Sequence, residues 1–398
     1  MKLRSFIFWP HLIAGVTAGL VIFLMCVTGV LLTYERQLIA WADSGFHSMK
    51  PASDARPLTP DVLLRRLGDT HPDLTPTTVT IRSDEDAAVA VVAGQRTLYV
   101  DRYSGAVVGE ASRGGVRKFM ADLRAWHRWL AVEGDGRPFA RAITGWSNFL
   151  FLFIVCSGFY LWFPRKWRWA QVRSVVLFNA GARGKARDFN WHNVIGSWCV
   201  VPLFIVVLSA MPISFGWFNA LVYRAVGETP PAPAGGGGGA QGRARTTGDN
   251  ERSRGAAVAA AAPNLDALWT RAESQVPGWR SVSLRLPAAG APAVFTIDKG
   301  DGGQPHLRST LTLDARTGEI TGFESFGDLT LGRRIRNTMR FAHTGEVLGI
   351  PGQTVAGVVS AGGAVLVWTG LALALRRFRA WIGRRVRRAD PSRVASAA

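Results

Sequence analysis

Four of the seven histidines in this sequence stand at the ends of four long apolar stretches. His11 and His192 lie near the start of the first and third stretches, and His127 and His343 precede the second and fourth. An ionisable side chain inside a membrane is costly, which makes each of them a candidate functional residue. A lone histidine at a membrane interface can also simply hydrogen-bond a headgroup or a carbonyl, and that interpretation stays open for each one.

The surroundings of these histidines occur twice along the chain. Phe8–Gly15 and Phe189–Gly196 both read F-x-x-H-x-x-x-G, and Arg124–His127 and Arg340–His343 both read R-x-x-H. A pattern that returns at a fixed position in two halves of a chain indicates an internal repeat. Four histidines in a duplicated pattern favour ligation of a metal over four unrelated surface contacts.

The chemistry around the histidines narrows the choice of metal. Imidazole nitrogen binds iron, copper, zinc and nickel, but no carboxylate stands beside these histidines in the apolar stretches and no cysteine pattern supports a structural zinc site. Two imidazoles that face each other across an apolar gap fit a six-coordinate haem with axial histidines. The sequence therefore predicts two bis-histidine b-type haems, one held by His11 and His192 and the other by His127 and His343.

Small and cationic neighbours fit the same interpretation. Gly15 and Gly196 lie one turn after a histidine and are expected to leave room for a flat macrocycle next to the helix. Arg124 and Arg340 lie one turn before a histidine and are expected to pair with haem propionates. A solvated helix face is the alternative for the two arginines.

The apolar stretches predict four transmembrane helices. Ser5–Tyr34, Ala142–Pro164, Phe189–Tyr223 and Val347–Leu375 contain no Asp, Glu, Lys or Arg. Each has at least the roughly 20 residues that a helix needs to cross a bilayer, where only helices or closed barrels satisfy the backbone. The first stretch could instead be a signal peptide, but the apolar region of a signal peptide has only about 7–15 residues, so we favour a retained helix.

The positive charge is distributed unevenly. The two terminal segments and the connection between the second and third stretches hold 17 Lys and Arg and two acidic residues, whereas the two long connections hold 15 against 14 and 15 against 12. Lys and Arg accumulate in short cytoplasmic loops. This predicts cytoplasmic termini and periplasmic long connections, with basic ends on anionic membrane lipid. The net charge of +19 is thereby explained without nucleic acid.

The two long connections share a plan of their own. Each has a short helical pattern followed by alternating apolar and polar stretches and an Asp/Gly turn, which is typical of a small α+β module. The predicted fold class is therefore membrane α-helical, with four transmembrane helices in two parallel repeats and two small periplasmic α+β modules. The predicted division is transmembrane helices 5–34, 138–164, 189–223 and 352–375, modules 35–115 and 263–328, interfacial helices 116–132 and 329–348, a cytoplasmic loop 165–188, a basic tail 376–398 and a flexible Gly/Ala/Arg linker 228–262 with no assigned role.

Several motifs together resemble one family. They are W-x-H-L-x-x-G at Trp9–Gly15, L-x-x-W-H-R-W-L at Leu123–Leu130, H-T-G-E-x-x-G at His343–Gly349, and the D-x-x-[ST]-G turns Asp101–Gly105 and Asp314–Gly318. With them the chain resembles the PepSY-associated transmembrane family of iron-regulated membrane proteins from about residue 9 to residue 375.

The resemblance implies a function. Members of that family include di-haem ferric-siderophore reductases of the bacterial inner membrane, in which electrons pass from a quinol or a cytoplasmic reductase through an inner and an outer haem. The expected acceptor is a periplasmic ferric siderophore or other ferric chelate. The string Gly237–Gly242 reads G-x-G-x-x-G, but it lies in the Gly/Ala/Arg linker and not between a strand pattern and a helix pattern, so no built-in donor domain is expected. The alternative is a non-enzymatic PepSY membrane anchor that regulates a periplasmic partner or protease, and a transporter is disfavoured because the mid-helix positions are mostly apolar.

Overall fold

The computed structural model describes residues 3–50, 55–111, 115–163, 168–231, 264–288 and 290–389, so most of the predicted linker 228–262 lies outside the described residues. The helices are α1 (Leu3–Leu31), α2 (Glu35–Ala42), α3 (Pro60–Thr70), α4 (Gly115–Trp129), α5 (Arg137–Trp162), α6 (Trp169–Val176), α7 (Gly184–Ser214), α8 (Gly216–Ala225), α9 (Leu265–Gln275), α10 (Leu331–His343) and α11 (Gly349–Ala389). The strands are β1 (Pro76–Arg82), β2 (Val89–Ala93), β3 (Arg96–Val100), β4 (Val107–Glu110), β5 (Ser281–Arg285), β6 (Ala293–Asp298), β7 (Arg308–Leu313) and β8 (Ile320–Ser325).

Within the described residues, four helices are long and apolar enough to cross a membrane, namely α1, α5, α7 and α11. Helix α1 has 29 residues and α7 has 31. At 1.5 Å per residue each helix is about 45 Å long, which exceeds a hydrocarbon core of about 30 Å. The predicted membrane α-helical class is confirmed at this level.

The third membrane helix does not follow the predicted range 189–223. It starts earlier, at Gly184, and ends at Ser214, after which Phe215 adopts an extended conformation with φ −124° and ψ 122°. An extended residue cannot continue the ladder of helical hydrogen bonds, so a new helix, α8, begins at Gly216. The apolar composition continues through this break, and the sequence pattern therefore did not reveal it.

Two strongly basic segments contain more helix than the sequence predicted. Helix α11 continues to Ala389 rather than ending at residue 375, and α6 forms inside the predicted loop 165–188. Arginine is a good helix former, so the arginine-rich end of α11 extends the helix beyond its apolar part.

The four membrane helices form a ring in which each contacts two neighbours. Helix α1 packs against α5 and α11, and α7 packs against the same two helices, so α1 and α7 occupy opposite corners. All four helices contribute side chains to an apolar core at the centre, and its buried members are Ala18, Ile22, Cys26, Phe151, Val155, Cys199, Leu203, Val207 and Val359. Two of the three cysteines are therefore buried packing residues, and the third, Cys156, is exposed.

Two adjacent glycines allow α11 to approach its neighbours closely. A Cβ atom on Gly362 would lie 2.7 Å from Cys199 Sγ, and one on Gly363 would lie 2.9 Å from Cys26 Sγ. Small residues at such crossings let transmembrane helices pack backbone to side chain, because van der Waals contact rather than the hydrophobic effect drives helix association in lipid.

A single antiparallel sheet of eight strands lies beyond the membrane helices, in the order β4-β3-β2-β1-β5-β6-β7-β8. Each half of the chain contributes four consecutive strands, and β1 pairs with β5 where the halves meet. Thr80 Oγ1 and Ser283 Oγ are 2.8 Å apart across this junction. Helices α3 and α9 lie over one face and share a continuous apolar core with the strands. The two predicted modules are thus parts of one sheet, which the sequence pattern did not anticipate.

Two reciprocal hydrogen bonds link the first turns of α3 and α9. The Asp61 N–H donates to Asp266 Oδ1 at 2.9 Å, and the Asp266 N–H donates to Asp61 Oδ2 at 3.4 Å. Each carboxylate therefore satisfies a free N–H group at the beginning of the other helix. Burial raises the pKa of Asp61, and the nearby charge of Asp266 raises it further.

We expect Gly363→Ala to destabilise the bundle, because the added methyl group would overlap Cys26 Sγ and push α11 away. Overpacking of a well-packed core costs about 1–3 kcal/mol. Gly383→Ala in the same helix is the matched control, because a Cβ there meets no atom within 4 Å. Thermal unfolding of the purified protein in detergent measures both variants. Equal melting temperatures for the two variants would contradict this account of the crossing.

We expect Asp61→Asn to stabilise the paired modules slightly at pH 7. The pKa of Asp61 is raised on folding, so the folded state binds more protons and loses stability as pH rises from the unfolded value of about 3.9 through the raised value. The asparagine side chain keeps an oxygen that can accept the hydrogen bond from the Asp266 N–H, and it carries no charge. The gain stays below about 1 kcal/mol because solvent screens this site, and it disappears near pH 4. Thermal melts at the two pH values test it, and a less stable variant at pH 7 would contradict it.

Candidate functional site

The first histidine pair lies at the end of the bundle where α1 and α7 begin. His11 is on α1 and His192 is on α7, the two helices at opposite corners. The two imidazoles lie near each other. The structure therefore brings together two residues that are 181 positions apart in the sequence, as the duplicated pattern predicted. We call His11 and His192 the inner pair.

The second pair lies at the other end of the bundle, on two helices that do not cross the membrane. His127 is in the last turn of α4 and His343 is the last residue of α10. Their ring centroids are 6.2 Å apart, and their planes make an angle of 47°. Helix α4 contacts α1 and α5, and α10 contacts α7, so both rings are held against the membrane helices. We call His127 and His343 the outer pair.

Each of the four imidazoles is held through its Nδ1 atom by a neighbouring membrane helix. The contacts are His11 Nδ1 to Ser157 Oγ at 2.8 Å, His127 Nδ1 to Thr28 Oγ1 at 2.9 Å, His192 Nδ1 to Thr369 Oγ1 at 3.0 Å, and His343 Nδ1 to the Val206 carbonyl oxygen at 2.9 Å. Each ring is bonded by a different one of the four membrane helices. Fixing one ring nitrogen sets the orientation of the other, as in many metal sites.

The same hydroxyls also contact backbone carbonyls of their own helices. Thr28 Oγ1 is 2.8 Å from the Leu24 carbonyl oxygen, Thr369 Oγ1 is 2.8 Å from that of Val365, and Ser157 Oγ contacts that of Phe153. When such a hydroxyl donates its one hydrogen to the carbonyl, it accepts from the histidine Nδ1. At His343 the partner is the Val206 carbonyl, which can only accept, so Nδ1 is the donor and Nε2 of the neutral ring keeps a free lone pair.

A glycine follows three of the hydroxyl residues and makes room for the ring. A Cβ atom on Gly158 would lie 3.2 Å from His11 Cε1, one on Gly370 would lie 3.3 Å from His192 Cε1, and one on Gly29 would lie 3.6 Å from His127 Cε1. The fourth position is Ser209-Ala210 on α7, where the Ser209 hydroxyl donates to the same Val206 carbonyl that holds His343.

Sequence reasoning missed these supporting residues. None of these residues was predicted to hold a histidine. A partial signal was present, because each apolar stretch contains a Ser or Thr followed by Gly or Ala, namely Thr28-Gly29, Ser157-Gly158, Ser209-Ala210 and Thr369-Gly370. Thr17-Ala18, Thr144-Gly145 and Ser360-Ala361 have the same form, so the sequence alone does not single out the pairs at the histidines.

The two predicted glycines have different surroundings. A Cβ atom on Gly15 would meet no atom within 4 Å, so open space lies next to α1 one turn after His11. A Cβ atom on Gly196 would lie 3.7 Å from Leu366 Cδ2, which is ordinary packing against α11.

The two predicted arginines lie near the outer pair with different partners. Arg124 Nη1 is 3.0 Å from Glu35 Oε1, and half of its side chain is exposed. The guanidinium of Arg340 lies 5.6 Å from the ring centroid of Phe341. Partial burial lowers the pKa of Arg340, and the charges of neighbouring arginines lower it further.

Within the part of the chain that the structure describes, no group of three or more His, Cys, Asp or Glu side chains is arranged to hold a metal ion. Each pair can therefore supply two nitrogen ligands. A bare Zn²⁺ site normally has at least three protein ligands. Each histidine pair therefore suits a metal whose remaining ligands come from a cofactor.

The profile of the PepSY-associated TM region matches residues 8–377, which include all four histidines. The chain belongs to the PepSY-associated TM region family. Among curated proteins, none matches the chain. Membership agrees with the four membrane helices and with the neighbouring sheet formed by the two predicted modules.

We expect Thr28→Val to destabilise the protein by leaving the His127 Nδ1–H group without its partner. Hydrogen bonds between membrane helices contribute about 0.6 kcal/mol on average and up to about 1.7. Thr17→Val on the same helix is the matched control, because that hydroxyl donates only within its own helix, to Ile13 and Ala14. Detergent unfolding of both variants, each also combined with His127→Phe, measures the coupling. If Thr28→Val is equally harmful with and without His127, the hydrogen bond does not account for its effect.

Proposed function

We propose that this family member is an inner-membrane electron-transfer protein that holds two b-type haems and reduces a ferric siderophore or other ferric chelate outside the membrane. The observation that carries the proposal is the pairing of four histidines, in two pairs at opposite ends of one helical bundle, with each ring held through its Nδ1 atom. A bis-histidine haem requires this arrangement of axial ligands.

The spacing of the outer pair supports haem. With metal–nitrogen bonds of about 2.0–2.1 Å and about 1.1 Å from Nε2 to the ring centroid, two imidazoles on opposite sides of one metal have centroids about 6.2–6.4 Å apart. The centroids of His127 and His343 are 6.2 Å apart. A porphyrin supplies the four equatorial nitrogens that the described protein residues do not, and when bound it supplies a reversible one-electron change of iron.

The distance between the pairs supports a path across the membrane. On α1, 17 residues separate His11 from Thr28, the residue that holds His127, which corresponds to about 25 Å of helix. On α7, 14 residues separate His192 from Val206, the residue that holds His343, which corresponds to about 21 Å. The intervening space is filled by the central apolar core. That core excludes water and leaves one redox site near each surface.

The charge distribution supports a direction for electron transfer across the membrane. We propose that the termini are cytoplasmic and the sheet periplasmic, since the basic connections lie at the end of the inner pair. Arg377 lies 4.9 Å from the Trp9 ring centroid and 5.0 Å from that of Phe8, as expected for cations and aromatic rings at a membrane surface. We also propose that the two halves are parallel repeats. A quinol or a cytoplasmic reductase would then reach the inner pair, and the ferric chelate would approach the outer pair.

An absorption spectrum of the purified protein, produced with haem available, tests the proposal. We expect a reducible low-spin haem spectrum and about two haems per chain by pyridine haemochrome assay. His192→Ala is expected to remove one haem, and His306→Ala, at an exposed histidine outside both pairs, is expected to retain both. A colourless protein would contradict the haem proposal and favour the membrane-anchor alternative. Two haems in the His192→Ala variant would contradict the assignment of that ligand.

A further inference from the structure

A cavity of about 300 Å³ lies in the membrane bundle beside the inner pair. Three of the four membrane helices form its walls, with Phe23 from α1, Trp191 from α7 and Trp368 from α11. Thr369, whose hydroxyl contacts His192 Nδ1 at 3.0 Å, also lines it. A ligand in this cavity would therefore lie one hydrogen-bonded residue away from a proposed haem ligand.

The cavity is separate from the space between the two inner imidazoles. None of the four paired histidines, all of which the structure describes, lines the cavity. The contact with Thr369 uses His192 Nδ1, so the cavity borders the residue that supports the ring, and Nε2 remains for haem. An occupant of the cavity would therefore be a neighbour of the inner haem and not a competitor for its place.

The walls of the cavity are mainly apolar and aromatic. Ala364 and Val365 complete the wall formed by the three aromatic rings. Trp191 is 41% exposed and Trp368 is 66% exposed, so the cavity opens on the outer surface of the bundle, where a membrane protein meets lipid. Ligand pockets of about 300–1,000 Å³ typically combine apolar walls with a few polar groups that orient the ligand. This cavity suits an apolar ligand that arrives from the bilayer.

A buried carboxylate provides an acceptor in the wall. Asp188 is 3% exposed and lies one turn before His192 on α7. Arg187 donates to Asp188 Oδ1 from Nε at 3.1 Å and from Nη2 at 2.9 Å, and Arg376 Nη2 donates to Oδ2 at 3.1 Å. A carboxylate has about four acceptor positions. Asp188 Oδ2 therefore retains one position for a hydroxyl group of a ligand.

The two indoles provide donors. The indole of Trp198, on the same helix as Trp191, donates to the Val176 carbonyl at 2.9 Å. In the part of the chain that the structure describes, the N–H groups of Trp191 and Trp368 have no such partner. An indole N–H group in apolar surroundings usually has a hydrogen-bond partner. The cavity thus offers both a donor and an acceptor beside flat aromatic walls.

The charges beside the cavity favour a neutral occupant over a phospholipid headgroup. Arg187 and Arg376 both bond to Asp188, so their charges are partly compensated. A phosphate group that approached these arginines would also approach the buried carboxylate, and like charges repel each other. A neutral ligand with a hydroxyl group would meet no such repulsion.

The first half of the chain lacks the features that form this cavity. When His11 is aligned with His192, Ile7 stands at the position of Asp188. When the hydroxyl residues that hold these two histidines are aligned, Phe153 stands at the position of Val365. The first half thus has neither the carboxylate nor the smaller side chain. The cavity is therefore not part of the repeated scaffold that holds the histidines.

We propose that this cavity binds an isoprenoid quinol, which donates electrons at the inner end of the bundle. The donor role rests on the proposed function, whereas binding can be measured separately. A quinol has a flat ring that matches the indole walls, one hydroxyl that can donate to Asp188 Oδ2, a second oxygen that can accept from an indole, and an apolar tail that stays in lipid.

The electron transfer balances with the proposed haems as oxidant. When the quinol becomes a quinone, its two O–H bonds break and two C=O bonds form, with release of two electrons and two protons. Two one-electron reductions of iron(III) to iron(II) take up the electrons, and the protons pass to water at the membrane surface.

Photolabelling tests the binding. The full-length protein in phosphatidylcholine nanodiscs is irradiated with an azido-substituted decylubiquinone, and labelled peptides are identified by mass spectrometry. We expect label on the peptides that contain Trp191 or Trp368, and we expect unlabelled decylubiquinone to suppress it. Decylbenzene has the same chain and no oxygen, so it should compete about tenfold more weakly.

Substitutions locate the site. Val365→Phe fills the cavity with the side chain that the first half carries at this position, and it should reduce labelling about tenfold. Val358→Phe is the matched control, because Val358 lies two turns earlier on α11 and is 63% exposed, and it should be labelled normally. Asp188→Asn keeps one acceptor oxygen and loses the charge, so it should be labelled to an intermediate extent. All three variants should retain both haems by pyridine haemochrome assay.

Stopped-flow absorption spectroscopy tests the donor role. We expect a decyl-substituted naphthoquinol to reduce the haem of the unmodified protein, and to reduce that of Val365→Phe about tenfold more slowly. Dithionite, a small water-soluble reductant, should reduce both proteins at the same rate.

Four results would overturn the inference. They are equal labelling of Val365→Phe and Val358→Phe, equal competition by decylbenzene and decylubiquinone, loss of a haem in Val365→Phe, and reduction by dithionite but not by the quinol. The second result would assign the cavity to lipid chains, and the third would assign it to the haem itself. A colourless protein that is still labelled in this cavity would contradict the proposed function and leave the quinone site intact.

Discussion

The arrangement of the bundle depends on where four imidazole N–H groups find an acceptor. In lipid there is no water to hydrogen-bond a buried donor, so each Nδ1–H must be satisfied by a neighbouring helix. The acceptors are three hydroxyls and one carbonyl, each on a different membrane helix. These contacts tie α4 and α10 to the membrane helices and bring distant parts of the chain together. All four contacts use Nδ1, so Nε2 is the ring nitrogen that remains for the proposed haem ligation.

Small residues make those contacts geometrically possible. Gly158 and Gly370 lie against the Cε1 atoms of His11 and His192, where a side chain would displace the ring. Gly362 and Gly363 allow α11 to pass close to two cysteine sulfurs in the central core. Without the hydrophobic effect between helices, such close packing is what holds a membrane bundle together. Two glycines therefore make room for histidines, and two others allow the close packing of the bundle.

The sheet and the bundle are joined in a way that concerns the outer pair. Pairing of β1 with β5 joins the two predicted modules into one body, and the reciprocal contacts of Asp61 and Asp266 add a second connection. Arg36 links α2 to the connection between β6 and β7. The outer histidines consequently lie on helices between two ordered bodies, in surroundings rich in arginine. The outer pair therefore lies next to the sheet, whereas the inner pair lies at the far end of the bundle.

The sequence by itself determined the local features. Four apolar stretches predicted four membrane helices, because a bilayer imposes length and composition on each helix independently of the others. Alternating stretches and Asp/Gly turns predicted strands, and the duplicated motifs predicted which histidines belong together. The break at Phe215 escaped prediction because the apolar composition does not change there.

Only the tertiary structure decided which distant residues meet. It placed α1 and α7 at opposite corners, paired Thr80 with Ser283 across the sheet junction, and brought Arg128 near Arg340. The residues of each of the last two pairs are more than 200 positions apart, and no local periodicity encodes such a contact. They result from close packing of whole elements, in which the position of every side chain depends on all the neighbours at once.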